Sequence, residues 1–346
     1  MPHHPDRTVA SEGAADGGVD AETLAFVRAA SGASEVVPGE TVQPLWSGYG
    51  RVQRLALGDG AGTARSAILK RVDPDAAGAH PRGWDGDLSH RRKRESYAVE
   101  ARFYERHAAR CDDACRVPAL LGAFERGEVR ALLLEDLDAA FPARREALDV
   151  DGCEPCLGWL AAFHARFMHD PGEGLWPTGC YWHLGTRPDE LRAMPDSPIR
   201  RAAPALDRAL SEVRFRSLVH GDAKLANFCF DATGARVAAL DFQYVGRGCG
   251  MRDVVYFLGS ALSDAHCRRH ETRLLDAYFG ALRVALGREG RAADADAIES
   301  EWRSLYAIAW TDFLRFLLGW MPTHRKVSPY AHELAGRALD GLARRS

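Results

Sequence analysis

The segment from Leu218 to Phe242 gathers the side chains whose types and spacing best suit chemistry on a phosphate. An apolar strand leads into a loop that contains Asp222, Lys224 and Asn227. A short hairpin follows and ends in a second carboxylate, Asp241. Because a hairpin returns the chain on itself, Asp241 is expected to lie beside Asn227.

Phosphoryl transfer asks the protein for little covalent chemistry and for much placement of charge. A carboxylate such as Asp222 can orient and deprotonate an attacking hydroxyl group. Oxygen atoms of Asn227 and Asp241 are the hard ligands that hold Mg²⁺ against phosphates. The plainer alternative is that these residue types merely form loops and end strands, as they often do. Their joint order and spacing favour the catalytic interpretation.

The stretch HGDAKLANFCF, followed by LDFQYVGRG, resembles the catalytic and metal-binding motifs of the aminoglycoside phosphotransferase and choline kinase superfamily, most of all its choline-kinase-like and ecdysteroid-kinase-like branch. The resemblance implies that Asp222 is the catalytic base and that Asn227 and Asp241 bind the metal ion. Lys224 stands where protein kinases have a lysine that contacts the transferred phosphate, although many antibiotic kinases lack it. Gln243 replaces the glycine of protein kinases, which argues against a protein-kinase-style regulatory switch and not against metal binding.

The same resemblance implies a lysine for the nucleotide phosphates and an acid that holds it. Lys70 follows an apolar strand and resembles that lysine, with Arg71 as a competitor and a solvated strand end as the alternative. Glu100 begins a Glu-Ala-Arg-Phe-Tyr sequence that resembles the E-x-x-F-Y pattern of the family. Glu95 and Glu105 are its rivals on the same predicted helix. We therefore expect an ion pair between Lys70 and Glu100.

Two further segments are candidates for nucleotide contacts. A tight turn contains Gly48 and Gly50, whose backbone N–H groups could cover phosphates. A simple hairpin connection explains this turn equally well. The apolar run that leads to Glu135 and Leu137 resembles the hinge between kinase lobes, where backbone groups meet adenine. The implied cofactors are ATP and Mg²⁺, and the sequence does not separate ATP from GTP.

The elements around these residues predict an α+β, two-lobed protein-kinase-like fold. Residues 1–20 are expected to be a disordered tail, since they are rich in Gly, Ala and Asp. Residues 21–135 predict a small β-rich N-lobe with one key helix, and 136–346 a larger, mainly helical C-lobe with the catalytic loop, metal site and acceptor pocket. Strands are predicted at 41–46, 51–57, 65–72, 117–124 and 129–135. A surface loop is predicted at 73–90. Helices of the C-lobe are predicted at 156–169, 251–262, 272–286, 297–321 and 332–342.

Three features could concern the acceptor. The basic run 90–94 precedes a helix, where each cation opposes the helix dipole by ~0.3–1 kcal/mol, yet a solvated charge run is the commoner explanation. Trp302, Tyr306 and Trp310 recur at helical spacing and would suit a quaternary ammonium group, although such stripes are more often core. The segment 181–183 lies among Pro and Gly residues and could form a loop over a pocket.

Composition narrows the classes of partner. The 346-residue chain has a net charge of −3, which predicts no attraction to nucleic acid. No apolar run reaches the ~18 residues of a membrane helix, and the start lacks the apolar core of a secretory signal. We therefore expect a cytoplasmic protein without membrane insertion.

The eight cysteines raise the question of a zinc site or disulfides. Cys111 and Cys115 are four residues apart, and Cys153 and Cys156 form a CxxC pair. The second pair opens an apolar helical pattern, in which thiols usually pack as small hydrophobic groups. We expect such packing, with a zinc-organised scaffold as the alternative.

The predicted activity is ATP- and Mg²⁺-dependent transfer of a γ-phosphate to the hydroxyl group of a small organic molecule, choline-like or another alcohol. An aminoglycoside-type antibiotic kinase is one alternative, but it would need an acidic acceptor pocket and no acidic cluster is evident. A nucleotide-binding pseudokinase is another. A protein kinase is disfavoured because no Ala-Pro-Glu triplet follows Asp241. The sequence names neither the acceptor nor the oligomeric state.

Overall fold

The computed structural model describes residues 19–59, 64–74 and 87–344. The chain forms two compact packing units: a small unit of 1–78 with 121–134, and a large unit of 79–120 with 135–346. A five-stranded antiparallel sheet and a mostly helical remainder confirm the predicted α+β class, while the protein-kinase-like architecture stays a prediction. The disordered tail is predicted for residues 1–20. Residues 1–18 of that segment lie outside the described residues.

The small unit is a sheet with one helix packed on it. Its elements are α1 (Ala21–Ser31), β1 (Glu35–Pro44), β2 (Gly50–Gly58), β3 (Ala64–Val72), β4 (Leu120–Arg126) and β5 (Val129–Glu135), with the strands in the order β1-β2-β3-β5-β4. The Asp20 carboxylate caps α1 by accepting the N–H of Thr23 at 2.8 Å, which satisfies one of the free donors of the first turn. Val27 of α1 packs on Leu55 and Leu69 of the sheet, so this helix buries its apolar side against the strands.

The large unit is mainly helical and contains two short antiparallel strand pairs. Its helices are α2 (Asp87–Arg106), α3 (Glu154–Arg166), α4 (Pro188–Ala193), α5 (Pro198–Ser211), α6 (Met251–Ala261), α7 (Asp264–Arg288), α8 (Ala295–Arg303), α9 (Tyr306–Trp320) and α10 (Pro329–Ala343). Its strands are β6 (Ser217–Val219), β7 (Phe228–Phe230), β8 (Val237–Ala239) and β9 (Gly246–Gly248), and β6 pairs with β9 as β7 pairs with β8. The sequence interpretation missed α4 and α5, and it joined α8 and α9 into one helix.

The helix α2 differs from its prediction in extent and in packing. It begins at Asp87, so the basic run 90–94 lies inside the helix and not before it. Phe103 of α2 stacks on Phe242 with ring centroids 4.0 Å apart. Packing therefore groups this helix with the large unit, whereas the predicted N-lobe of 21–135 includes it. The functional division at residue 135 stays a prediction.

The aromatic stripe belongs to the core and not to a pocket for an ammonium group. Trp302, Tyr306 and Trp310 are at most 2% exposed. The indole N–H of Trp302 donates to the carbonyl of Phe215 at 3.0 Å, and the hydroxyls of Tyr306 and Tyr330 lie 3.3 Å apart. Trp302 lies in the last turn of α8 and the other two aromatic residues lie on α9, so the stripe spans two helices.

The cysteines are free thiols, and seven of the eight are buried. Burial raises the pKa of the Cys153 thiol to about 12 and of the Cys229 thiol to about 11, which keeps both neutral. Within the described ranges, no three His, Cys, Asp or Glu side chains come together as ligands for a metal ion. None of the described helices combines the length and hydropathy required to cross a membrane.

Candidate active site

A buried carboxylate on α6 holds the loop that follows β6. Asp253 is 1% exposed and accepts the backbone N–H groups of His220 at 2.6 Å and Gly221 at 2.8 Å. It also bonds the ring of His164 at 3.0 Å. Gly221 has φ +78, and a Cβ atom there would overlap the carbonyl oxygen of Tyr244, so only glycine fits. Sequence reasoning missed Asp253, although an acid within an apolar helical run was an available signal.

The loop presents Asp222 with Lys224 and Asn227 around it. Nδ2 of Asn227 donates to the backbone carbonyl of Asp222 at 2.8 Å and to its carboxylate at 3.2 Å. The ammonium group of Lys224 lies 3.5 Å from the same carboxylate. Because the amide nitrogen of Asn227 is engaged with Asp222, its amide oxygen is left for another partner.

The hairpin of β7 and β8 places Asp241 beside Asn227. The N–H of Leu240 donates to the carbonyl of Asn227 at 3.0 Å, which continues the pairing of the two strands. Asp241 has φ +70, a left-handed conformation that a residue other than glycine adopts at some cost in free energy. Burial raises the pKa of Asp222, and the charge of Asp241 adds to that increase while Lys224 opposes it.

Gln243 connects this carboxylate to α2. Its side-chain nitrogen donates to Oδ1 of Asp241 at 2.6 Å. Its side-chain oxygen accepts from Nζ of Lys93 at 2.6 Å and from Oγ of Ser96 at 3.2 Å. The basic run 90–94 is therefore not wholly solvated, since Lys93 is half-buried. Sequence reasoning treated Gln243 only as a tolerated departure from glycine.

The oxygen ligands at this position fit Mg²⁺. Asp241 supplies carboxylate oxygen and Asn227 supplies amide oxygen, both hard ligands. Mg²⁺ sites in nucleotide enzymes typically use one or two such side chains together with phosphate oxygens and water. Zn²⁺ prefers sulfur and imidazole nitrogen, which these two residues do not offer.

The candidate phosphate-binding residues Lys70 and Glu100 lie in different packing units. Lys70 is on β3 and is 7% exposed, while Glu100 is on α2 and is 2% exposed. Neither is therefore the solvated residue of the alternative interpretation. Their pairing stays a prediction.

The turn before β2 contains Gly48 with φ +74 and Gly50 with φ +135. A Cβ atom at Gly50 would overlap the carbonyl oxygen of Arg71 on the neighbouring strand. The close approach of β2 and β3 is therefore sufficient to explain why glycine occupies position 50, without a role in phosphate binding. A phosphate contact by the turn stays a prediction.

The candidate hinge residues make contacts within the large unit. The Glu135 carboxylate accepts from Nη2 of Arg116 at 2.6 Å and from the N–H of Ala119 at 3.0 Å. Leu137 is 4% exposed and packs with Phe141. These side chains therefore position the segment, and an adenine contact through their backbone stays a prediction.

Residues 186–290 match the model of the Ecdysteroid kinase-like family. This match covers part of the large unit, including the predicted catalytic loop and Asp241, and confirms the sequence resemblance to the ecdysteroid-kinase-like branch. No curated protein sequence matches the chain.

The chain is also similar to solved structures of several kinases. A microcompartment-associated aminopropanol kinase is 17% identical with a TM-score of 0.45, over 93% of this chain and 94% of that one. A putative fructosamine-3-kinase from Haemophilus somnus is 11% identical with a TM-score of 0.45, over 92% and 95%. A Plasmodium vivax ethanolamine kinase is 10% identical with a TM-score of 0.42, over 88% and 81%.

Proposed function

We propose that this protein transfers the γ-phosphate of ATP to a hydroxyl group of a small organic molecule. The match of residues 186–290 to the ecdysteroid kinase-like model supports this proposal. The observation that supports this proposal most is the arrangement of Asp222, Asn227 and Asp241 on one hydrogen-bonded loop and hairpin. It combines a buried carboxylate with oxygen ligands that fit Mg²⁺.

In the proposed reaction, the hydroxyl oxygen of the acceptor forms a bond to the γ-phosphorus while the bond from that phosphorus to the β-phosphate oxygen breaks. ADP leaves, and the hydroxyl proton passes to the carboxylate of Asp222. Burial raises the pKa of Asp222, which makes the carboxylate a stronger base than an exposed aspartate. Lys224, whose ammonium group lies 3.5 Å from that carboxylate, would balance negative charge on the transferred group. Bound Mg²⁺ would neutralise charge on the nucleotide phosphates.

The remaining residues support this chemistry by positioning. Asp253 holds the backbone at His220 and Gly221, so the loop has little freedom to rotate. Asn227 holds the Asp222 carboxylate through its amide nitrogen. Binding sites gain catalytic power when the reacting groups need no reorganisation. We assign Lys70 to the nucleotide phosphates and Glu100 to its support from the family resemblance.

The experiment that tests the function is ADP release by the purified full chain with ATP and Mg²⁺ over a panel of hydroxylated compounds. We expect one chemical class of acceptor to stimulate ADP release. Asp241→Ala should abolish the stimulation, and Asp222→Asn should lower it by about 10²- to 10⁴-fold. ATP binding by the wild type without turnover on any acceptor, in a panel that includes sugars, alcohols, hydroxy acids and steroids, would instead indicate a pseudokinase.

A further inference from the structure

Two arginines, Arg187 and Arg92, act on the phenol of Tyr244, and of the two only Arg187 forms an ion pair with a carboxylate among the described residues. Arg187 is buried, and its Nη1 lies 3.2 Å from Oε1 of Glu190. Its Nε donates to the carbonyl of Tyr181 at 3.1 Å, and its guanidinium lies 4.4 Å above the Tyr181 ring. The charge of Arg187 is therefore compensated within the protein.

Arg92 of α2 is half-buried and, among the described residues, forms no ion pair of its own. Its Nη1 donates to the carbonyl of Thr186 at 2.9 Å, and its Nη2 is 3.4 Å from Oγ of Ser89. In the described ranges, no carboxylate lies within ion-pair distance of its guanidinium. Burial, and then the charge of Arg187, lower the pKa of Arg92, and the opposing effects of Tyr244, Glu190 and Tyr181 are smaller. A partly desolvated cation that faces a like charge is costly unless an anion joins it.

Contacts within the large unit connect this arginine to the proposed catalytic base. The N–H of Tyr181 donates to the carbonyl of Gly221, the residue before Asp222, at 2.7 Å. The rings of Tyr181 and Tyr244 lie 5.2 Å apart. Burial raises the pKa of Tyr244 to about 12, and the charges of both Arg92 and Asp222 act on its phenol. Arg92 and Asp222 therefore act electrostatically on the same tyrosine.

We propose that Arg92 binds a carboxylate group of the acceptor, so that the substrate of this kinase is a hydroxy carboxylic acid. The inference rests on the proposed function and names the substrate class of the same site. Since Glu190 balances Arg187, one positive charge remains, and it matches a monoanion. The same charge disfavours polycationic aminoglycosides and quaternary ammonium alcohols. A phosphate dianion would need a second uncompensated cation.

Matched acceptor pairs test the proposal through kcat and KM for ADP release. In the first pair, glycerate is compared with glycerol. In the second pair, 4-hydroxybutyrate is compared with 1,4-butanediol. Choline and glycerol 3-phosphate are tested as a cationic and a phosphorylated acceptor. We expect the wild type to prefer each acid over its alcohol. Arg92→Gln should raise KM for the acids by roughly 10- to 100-fold, as expected for loss of a charge-assisted hydrogen bond, and leave KM for the alcohols and ATP within about 2-fold.

Arg91→Gln is the matched control, since Arg91 is exposed on the same helix. It should retain the wild-type preference for acids. An acid-to-alcohol preference that is equal in wild type and Arg92→Gln would overturn the proposal, and so would a wild-type preference for choline or an alcohol. A preference for glycerol 3-phosphate over glycerate would overturn the carboxylate assignment.

A measurement that needs no turnover separates the two proposals. The melting temperature is followed with sodium glycerate and sodium 4-hydroxybutyrate against sodium chloride at equal ionic strength, because a ligand of the folded state stabilises it. We expect both carboxylates to stabilise the wild type and Arg91→Gln but not Arg92→Gln. If the carboxylates stabilise these proteins in this pattern but no acceptor stimulates ADP release, the anion site stands and the proposed kinase function is contradicted. No specific stabilisation of the wild type, or equal stabilisation of Arg92→Gln, would overturn the anion site.

Discussion

The side-chain amide of Gln243 donates a 2.6 Å hydrogen bond to Oδ1 of Asp241. The other end of the amide accepts from Lys93 at 2.6 Å and from Ser96 at 3.2 Å, so its orientation is held from α2. Asp241 itself has a left-handed backbone with φ +70. A residue in such a conformation needs support from its surroundings, and Gln243 provides it at the side chain. The carboxylate that we propose as a metal ligand is thereby held in place by the protein alone.

The first prediction concerns this support. Gln243→Ala should weaken Mg²⁺ affinity by ~10- to 100-fold, the usual effect of removing a partner of a metal ligand. The Mg²⁺ dependence of ATP binding, measured by calorimetry, gives the readout without turnover. Gln43→Ala, at an exposed position on β1, should leave that dependence unchanged. An unaltered Mg²⁺ dependence in Gln243→Ala would show that its bond to Asp241 has no part in holding the metal.

The second prediction concerns the proposed metal ligand. Asp241→Ala should abolish acceptor-stimulated turnover while the circular dichroism spectrum keeps its helical signal, because the side chain is assigned to metal binding and not to the core. In the wild type, ATP affinity should fall sharply when EDTA removes Mg²⁺. In the variant, EDTA should have little further effect. Near-normal turnover by Asp241→Ala with Mg²⁺ and ATP would remove Asp241 from the metal site.

The third prediction concerns the proposed base. Asp222→Asn should lower kcat by about 10²- to 10⁴-fold, the typical contribution of general-base catalysis. The dissociation constant for ATP should stay within a few-fold, because the base acts mainly in the transition state. Rapid-quench measurement of single turnovers with the preferred acceptor separates chemistry from release. Parallel losses of ATP affinity and kcat would make Asp222 a metal ligand or a structural residue instead.

The fourth prediction concerns stability and pH in metal-free protein. Folding raises the pKa of Asp222, chiefly because burial penalises the charged carboxylate. Between the unfolded and the folded pKa, the folded state binds more protons, so the free energy of unfolding falls as pH rises through that window. Asparagine is neutral at every pH. Asp222→Asn should therefore melt at a higher temperature than the wild type at pH 7 in EDTA.

The advantage of Asp222→Asn should disappear below the ordinary aspartate pKa of about 3.9, where the wild-type carboxyl group is also neutral. Asp340→Asn, at an exposed position on α10, is the control and should not show this pH-dependent gain. A lower melting temperature for Asp222→Asn at pH 7 would mean that the negative charge stabilises the fold.

The fifth prediction concerns the support of the catalytic loop. Asp253→Ala should lower the free energy of unfolding by roughly 2–5 kcal/mol, because the buried N–H groups of His220 and Gly221 lose their acceptor and each costs ~1–3 kcal/mol. Chemical denaturation measures this loss. Asp253→Asn keeps one carbonyl oxygen and should be less destabilised. Equal stability of Asp253→Ala and the wild type would contradict the role assigned to this carboxylate.

The sequence by itself determined the parts of the site that depend on neighbours along the chain. Asn227 and Asp241 are adjacent because a short hairpin joins them, and hairpin pairing follows from local alternation and turn residues. The order of strands before helices likewise predicted the fold class, since hydrophobic periodicity is a local property. Most helices and strands could therefore be predicted from the sequence, although α4, α5 and the break between α8 and α9 could not.

Only the tertiary structure decided which distant side chains meet. Lys93 reaches Gln243 across 150 residues of sequence, and Asp253 holds a backbone that lies more than 30 residues before it. Arg92 approaches Arg187 in the same way. Side-chain patterns report which face of an element is apolar, but the partners across that face are selected by packing, hydrogen-bond geometry and desolvation together. These effects act through space, and so the support of the proposed metal ligand and the candidate acceptor site appear only when the chain is folded.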